Sequence, residues 1–186
     1  IKHYEIDYVI PGSEEYLAQG IVDFLSEKNI PVFGPTKYAT QLESSKSFAK
    51  NILNEVQAHT AHAEVVENIE KALSALNNFK ILPVIKLDRL VQGKGVFLPE
   101  TNEEAKDVLK KIYATKSNEK VLLEEKLTGH EISIFVLAEG SRYCILGTAA
   151  DYKRKEENDR GPNTGGMGAI SPHPLWDENL KKQSHE

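Results

Sequence analysis

Cysteine, methionine and tryptophan occur once each in these 186 residues. Cys144 has no partner for an internal disulfide, and its place in an apolar run reads as a buried, inert thiol. No apolar stretch approaches the roughly 20 residues of a membrane-spanning helix, and no signal peptide is visible at the start. An excess of positive charge is also missing. The net charge is −5, which argues against nonspecific nucleic-acid binding, because that needs a basic surface to neutralise phosphates. Internal repeats and low-complexity tracts are absent. The expectation is a soluble, cytoplasmic protein with neither nucleic acid nor a membrane as a partner. A hydrophobic content of 40% allows a real core, as one sizeable domain or two small ones.

What the sequence does have is a glycine-rich stretch, Gly161-Pro162-Asn163-Thr164-Gly165-Gly166-Met167-Gly168, just after the charged run Asp151-Tyr152-Lys153-Arg154. Four of the 12 glycines lie there, which concentrates positive-φ freedom and lets a ligand approach bare N–H groups. Anion binding is one reading. A solvent-exposed connector is the other, since Gly, Pro, Asn and Thr are ordinary turn residues.

In chain order, Tyr8-Val9-Ile10 reads as a short buried strand closed by Pro11-Gly12. Ser13 is placed to cap a helix bearing Leu17, Ile21, Phe24 and Leu25, which Asn29 ends before a second strand at Ile30-Pro31-Val32-Phe33. Strand, helix, strand is a βαβ unit and implies a parallel sheet. It is too small for a domain and begins at Ile1 rather than Met, so it reads as the end of a truncated α/β domain. A helix is expected from Tyr38 to Val56 with Leu42, Phe48 or Ala49, Ile52, Leu53 and Val56 inward, and another from Glu64 to Leu76 spaced by Val65, Val66, Ile69, Leu73 and Leu76. His59 and His62 between them have metal-pair spacing, but no cysteine or carboxylate cluster completes a site, so they read as surface residues.

From Leu82 the period becomes that of strands. Pro83 to Leu87 and Gly95 to Leu98 read as partner strands around the loop from Asp88 to Lys94, and Thr101 with Glu104 forms a capping box for a helix buried through Ala105, Val108, Leu109 and Ile112. Val121 to Leu123 is a further strand. The run from Glu131 to Leu137 turns at Glu139-Gly140 and pairs with Arg142 to Thr148 as an antiparallel hairpin. The fold class is therefore α/β followed by α+β.

Lys86 ends a strand beside Gly93-Lys94-Gly95, where it is either a phosphate ligand or a solvated lysine. The spacing is not that of a Walker A loop, which needs glycine at Asp88 and Ser or Thr at Gly95. Glu124 and Glu125 read equally as a solvated pair, and Glu131 as an edge-strand charge.

The order and spacing of several segments resemble the glycinamide ribonucleotide synthetase family, ATP-grasp enzymes of purine biosynthesis. These segments are Phe33-Gly34-Pro35-Thr36, Gln41 through Lys46 to Lys50, Val84-Ile85-Lys86 with Gly93-Lys94-Gly95-Val96, Glu124-Glu125 with Gly129-His130-Glu131, and Asp151-Tyr152-Lys153-Arg154 with Gly161 to Gly168 and Ser171-Pro172. The resemblance covers nearly the whole chain. It implies the end of a pre-ATP-grasp domain over residues 1–36, a linker helix and the smaller ATP-grasp subdomain over 37–128, and the start of the larger subdomain over 129–186.

On this resemblance Lys46 and Lys86 reach the ATP phosphates and Gly93, Lys94 and Gly95 belong to a mobile loop over them. Glu124 to Leu127 form a hinge whose backbone at Glu125 and Leu127 reads adenine, and Glu131 takes the ribose hydroxyls. Asp151, Lys153 and Arg154 with Asn163, Thr164, Gly165, Gly166, Met167 and Gly168 line the pocket for glycine and phosphoribosylamine. Lys86, Lys153 and Arg154 are the implied catalytic residues. ATP would phosphorylate glycine, and the amine of phosphoribosylamine would displace phosphate, a reaction run by positioning and charge neutralisation. A monomer is implied, as is magnesium or manganese in the full-length enzyme.

The departures are specific. Where the family usually has Lys-Ala-Asp-Gly-Leu-Ala-Ala-Gly-Lys-Gly, the run here is Lys86-Leu87-Asp88-Arg89-Leu90-Val91-Gln92-Gly93-Lys94-Gly95. Pro11-Gly12-Ser13-Glu14-Glu15 replaces a Gly-Pro-Glu-Ala-Pro type segment, and Tyr152 stands where histidine is usual. The chain stops at Glu186, before the Glu and Asn that hold the metal in the family, so the metal ligands are expected to be absent and the 186 residues alone inactive. Two classes stay open: a carboxylate–amine ligase, with these or other substrates, and a divergent or inactive ATP-binding module.

Overall fold

The structure, a computed structural model, describes residues 4–91, 95–157 and 160–184. It divides into two compact units, Ile1–Leu127 and Thr128–Glu186.

The first unit opens with the expected parallel connection reduced to one bridge flanking two short helices. Val9 and Val32 form a parallel bridge, closed by Val9 N–H on the Pro31 carbonyl at 3.0 Å and Phe33 N–H on the Val9 carbonyl at 2.9 Å. The buried strand expected at Tyr8 to Ile10 is not found: Tyr8 is 54% and Ile10 69% exposed. A strand is buried on both faces only within a covered sheet, and this one makes a single bridge among the described residues. The one helix expected after Ser13 is two, α1 (Glu14–Gln19) and α2 (Ile21–Glu27), because Gly20 at φ 93° ends the first and opens the second. Ser13 stands at the cap position without a side-chain cap bond. Phe24, expected inward, is exposed.

The long helix expected to Val56 is likewise divided into α3 (Gln41–Ser44) and α4 (Lys46–Glu55) by Ser45, whose extended backbone lets its hydroxyl accept from Phe48 N–H at 3.2 Å. Leu42 and Val56 are exposed rather than inward.

Residues Ala63–Val66 are strand β1, not the start of a helix. The helix α5 is confined to Ile69–Ala75, capped by the Asn68 carboxamide accepting from Lys71 N–H at 2.9 Å, and it runs into a 3₁₀ turn at Leu76–Asn78. Val65 and Val66 fit a helical stripe by spacing, but they are β-branched and pair well in a sheet. Their pairing with β4 (Val121–Glu124) decides the matter, with Ala63 opposite Glu124 and Val66 opposite Val121. β4 also pairs antiparallel with β2 (Val84–Leu87), and β2 with β3 (Val96–Phe97), giving the order β1-β4-β2-β3.

Helix α6 (Asn102–Thr115) starts where the capping box predicts. The Thr101 hydroxyl accepts from Glu104 N–H at 3.1 Å, while the Glu104 carboxylate reaches one residue further back, to Glu100 N–H at 2.8 Å. The alternating pleat sends Ile85, Leu87, Val121 and Leu123 into one core with Ala72, Ala75, Leu76, Ala105, Leu109 and Tyr113 of the α5–α6 side. Lys86, Leu122 and Glu124 therefore lie on the other face of the sheet.

The second unit is built on the expected hairpin. β5 (Ser133–Glu139) and β6 (Arg142–Asp151) pair antiparallel around Gly140, with a register shift between Phe135 and Val136. β9 (Ala169–Ile170) adds to β6, and β7 (Arg154–Glu156) pairs with β8 (Arg160–Asn163). The short helix α7 (Glu178–Gln183) is capped by Asp177. Cys144 is exposed, against the buried reading. Its strand lies in an open three-stranded sheet whose apolar residues are largely uncovered, Phe135, Val136 and Tyr143 among them.

Candidate functional site

In the first unit, three lysines and two carboxylates meet at the end of the sheet. Lys46 and Lys50 stand one turn apart on α4 and so share a face of that helix. Lys50 Nζ donates to Glu124 Oε1 at 2.6 Å, to the Ala61 carbonyl at 2.6 Å and to the Thr60 hydroxyl. Lys86 Nζ pairs with the other Glu124 oxygen. Lys46 Nζ donates to the carbonyls of Leu87 at 3.0 Å and Arg89 at 3.3 Å.

An ammonium carries three donors, which sorts the three lysines. Lys50 is saturated and acts as a strut. Among the described residues Lys46 has one donor unspent and Lys86 two, so these two hold the free capacity for an anion.

Burial drives the Glu124 carboxyl upward, but its hydrogen bonds from Lys50 and Lys86 outweigh that and hold its pKa below the usual value. For Lys46 the order is reversed: desolvation lowers its pKa, with Lys86 adding to the fall, and the attraction of Asp88 only partly offsets this.

Asp88 sits at the N-terminus of α4. Its carboxylate accepts from Ser47 N–H at 3.0 Å and from the hydroxyls of Ser45 and Ser47, while its own N–H donates to the Lys120 carbonyl at 3.0 Å. A carboxylate there satisfies orphan N–H groups and complements the helix dipole. It also ties the α4 terminus to the residue two beyond Lys86.

Arg89, the departure from glycine, lies 3.5 Å from Glu119, which Lys116 also approaches at 3.3 Å. Gly95 is buried, and a Cβ on it would lie 2.3 Å from the Val91 side chain. Gly93 and Lys94 lie outside the described residues. The Glu125 N–H is taken by the His62 carbonyl at 2.8 Å, extending the β1–β4 pairing, and Leu127 is exposed. His62 itself rests against the Phe79 ring and lies 3.8 Å from Glu64.

In the second unit Lys153 Nζ pairs with the Glu131 carboxylate and lies 3.5 Å from Asp151 Oδ2. The hydrogen bond that Lys153 donates to Glu131 raises the Lys153 pKa despite some burial, so the amine stays a cation. The other Asp151 oxygen, Oδ1, is buried with no partner among the described residues, an acceptor without a donor.

The glycine-rich segment folds back on this cluster. Thr164 N–H and hydroxyl both donate to the Lys153 carbonyl, at 2.7 and 3.0 Å, and Met167 N–H donates to the Tyr152 carbonyl at 2.7 Å. Gly166 N–H meets the Thr164 hydroxyl at 3.0 Å, so three of the loop's N–H groups are spent, two on the Tyr152-Lys153 run and one within the loop. Arg154 donates to the Gly161 carbonyl at 2.8 Å. Gly161, at φ 79°, would set a Cβ 2.9 Å from the Glu156 side chain.

Lys50, Asp88 and His173 carry polar roles that sequence reading did not assign. For Lys50 the available signal was its spacing of four from Lys46. His173 offered none beyond its place after Ser171-Pro172.

An antiparallel sheet packed on helices, with lysines clustered at its end, followed by a second sheet unit bearing acidic and basic side chains, is the architecture of ATP-grasp proteins. The RimK-domain ATP-grasp protein of Sphaerobacter thermophilus shares the fold, with a TM-score of 0.63 at 15% identity over 78% of this chain and 55% of that one. Residues 44–186 match the family model described as phosphoribosylglycinamide synthetase, ATP-grasp (A) domain, and residues 1–43 match its N domain. The chain belongs to the phosphoribosylglycinamide synthetase family. It is 38% identical over 190 aligned residues to the phosphoribosylamine–glycine ligase of Leptospira interrogans, covering 100% of this chain and 45% of that protein. The crystal structure of the Thermotoga maritima phosphoribosylamine–glycine ligase matches with a TM-score of 0.79 at 37% identity, over 97% of this chain and 45% of that one. The chain thus spans about half the length of these relatives.

Proposed function

We propose that the protein contributes the nucleotide-binding part of an ATP-dependent ligase that joins glycine to 5-phosphoribosylamine through a glycyl phosphate, yielding glycinamide ribonucleotide, ADP and phosphate. The observation that carries this reading is the unspent donor capacity of Lys46 and Lys86 beside a saturated Lys50. Two cations with free N–H groups suit phosphate oxygens, and the Glu124 carboxylate shared by Lys50 and Lys86 offsets the repulsion among the neighbouring lysines. On this reading residues 1–36 end a preceding domain, 37–128 form the smaller ATP-grasp subdomain and 129–186 begin the larger one.

In the reaction the glycine carboxylate oxygen attacks the γ-phosphorus and the bond to ADP breaks. The amine nitrogen then attacks the carbonyl carbon and phosphate leaves. Lys46 and Lys86 neutralise the transferred charge. Lys153, held cationic by Glu131, is suited to a carboxylate or phosphate. The unpartnered Asp151 Oδ1 suits the N–H groups of an amine, which otherwise leave a buried acceptor unsatisfied. Magnesium or manganese would supply further charge neutralisation in a phosphoryl transfer. Among the described residues no group of three or more His, Cys, Asp or Glu is placed to hold a metal.

The test is ADP binding by calorimetry. Lys86→Met, which removes two unspent donors, should weaken ADP by about tenfold or more and leave adenosine binding unchanged. Equal loss for both ligands, or none for either, would refute the phosphate role. The whole activity is read as ADP formation dependent on both glycine and phosphoribosylamine, expected of a protein of the relatives' length and not of these 186 residues alone.

A further inference from the structure

His173 is a buried polar residue, 6% exposed, to which the ligase reaction gives no part. All its polar atoms that face neighbours are engaged. Its backbone N–H donates to the Thr148 hydroxyl at 3.1 Å, its Nδ1 accepts from Leu175 N–H at 3.0 Å, and its Nε2 faces the Glu131 carbonyl oxygen at 3.1 Å. A nitrogen that accepts an N–H bears no proton, so Nε2 carries the hydrogen and donates to Glu131. Thr148 is itself 1% exposed, and its carbonyl takes the Ser171 hydroxyl at 2.9 Å, so the ring hangs from a rigid point on β6.

Glu131 lies two residues before β5 begins. No strand ladder fixes its carbonyl, and among the described residues the His173 ring is that oxygen's hydrogen-bond donor. The Glu131 side chain is exposed and aimed at Lys153.

We propose that His173 is a positioning residue for Glu131: the imidazole, fixed as the Nε2–H tautomer, pins the Glu131 backbone so that its carboxylate is held ready for a vicinal diol, the ribose of the bound nucleotide. The diol half of this rests on the function proposed above; the pinning does not.

The ring's donor and its acceptor can be separated. His173→Gln places an amide N–H where Nε2 stands and keeps the bond to Glu131. His173→Asn places an amide oxygen where Nδ1 stands and keeps only the bond from Leu175. A role in general packing affects both variants alike, whereas positioning of Glu131 is rescued by Gln alone.

The first readout needs no nucleotide: acylation of Lys153 by a water-soluble succinimidyl ester, followed by mass spectrometry. Loosening the Glu131 ion pair lowers the Lys153 pKa, so His173→Asn should be acylated about threefold faster, with His173→Gln at the wild-type rate. The second is the affinity ratio of ADP to 2′,3′-dideoxy-ADP, expected to fall by about tenfold in His173→Asn and to hold in His173→Gln, with dideoxy-ADP binding unchanged throughout. Equal acylation rates in the two variants overturn the positioning role. Altered acylation in His173→Asn with no wild-type preference for ADP over its dideoxy form overturns the diol assignment and leaves the pinning intact. Failure of wild type to bind either nucleotide counts against the nucleotide function itself.

Discussion

Removing the charge of Glu124 tests the electrostatic arrangement most directly. The carboxylate is 11% exposed and is shared by Lys50, 12% exposed, and Lys86, 28% exposed. In Glu124→Gln the amide keeps the shape and one acceptor but leaves two cations without a counter-charge. Stripping one partner from a buried ion pair costs about 3–5 kcal/mol. Lys86 is partly solvated and can turn to water, and Lys50 keeps Thr60 and Ala61, so about 2–3 kcal/mol is expected at neutral pH after that relief.

The pH dependence supplies an internal check. The folded Glu124 pKa is depressed, so its contribution is present above the unfolded value of 4.5 and is lost as pH falls through the lower folded value. Urea unfolding followed from neutral to acid pH should therefore show wild type losing its advantage over Glu124→Gln below the ordinary glutamate range. A variant within 0.5 kcal/mol of wild type at pH 7, as a rough threshold for an ordinary surface change, with the same acid profile, would refute the reasoning. A double-mutant cycle with Lys50→Met should give a coupling of about 1–3 kcal/mol, since the two side chains touch.

Two further predictions concern single groups. Tyr113, whose hydroxyl donates to the Val66 carbonyl at 3.2 Å, has its pKa pushed up to about 12 by burial and by nearby Glu119 and Glu67. Its contribution is whole below the ordinary value of 10 and is lost as pH rises through 12, so wild type should lose about 2–3 kcal/mol over that interval. Tyr113→Phe should lose about 1 kcal/mol at pH 8 and lack the alkaline slope; an unchanged slope would show that other groups cause it. Gly161→Ala forces a side chain into φ 79° and against Glu156, and should cost about 1–2 kcal/mol in thermal unfolding. Stabilisation by alanine would mean that the backbone relaxes out of the left-handed region there.

Elements whose signals are local were legible in the sequence. The Thr101–Glu104 box marks the start of α6, the alternating run after Glu131 and the turn at Gly140 mark the β5–β6 hairpin, and the pairing of β2 with β3 follows from two apolar runs around one loop. The glycine-rich motif and the ordered lysines made the family visible without a fold. Spacing was not enough at Val65 and Val66, which fit a helix stripe or a strand, nor at Gly20 and Ser45, where a positive φ and a side-chain cap divide single periodic runs into two helices.

The amino-acid order alone thus settles the membership, the residue types available for phosphate and carboxylate chemistry, the start of α6 and the two hairpins, because each of these local elements depends on neighbours within a few positions. The division of labour among these residues does not. Lys50 as strut and Lys86 as free donor differ only in what Thr60, Ala61 and Glu124 bring to them. His173 meets Glu131 across 42 positions of chain, and Cys144 is exposed because its sheet is uncovered. Hydrogen-bond saturation, charge pairing and burial are properties of atoms brought together in space, and no local period encodes which distant partner will be there.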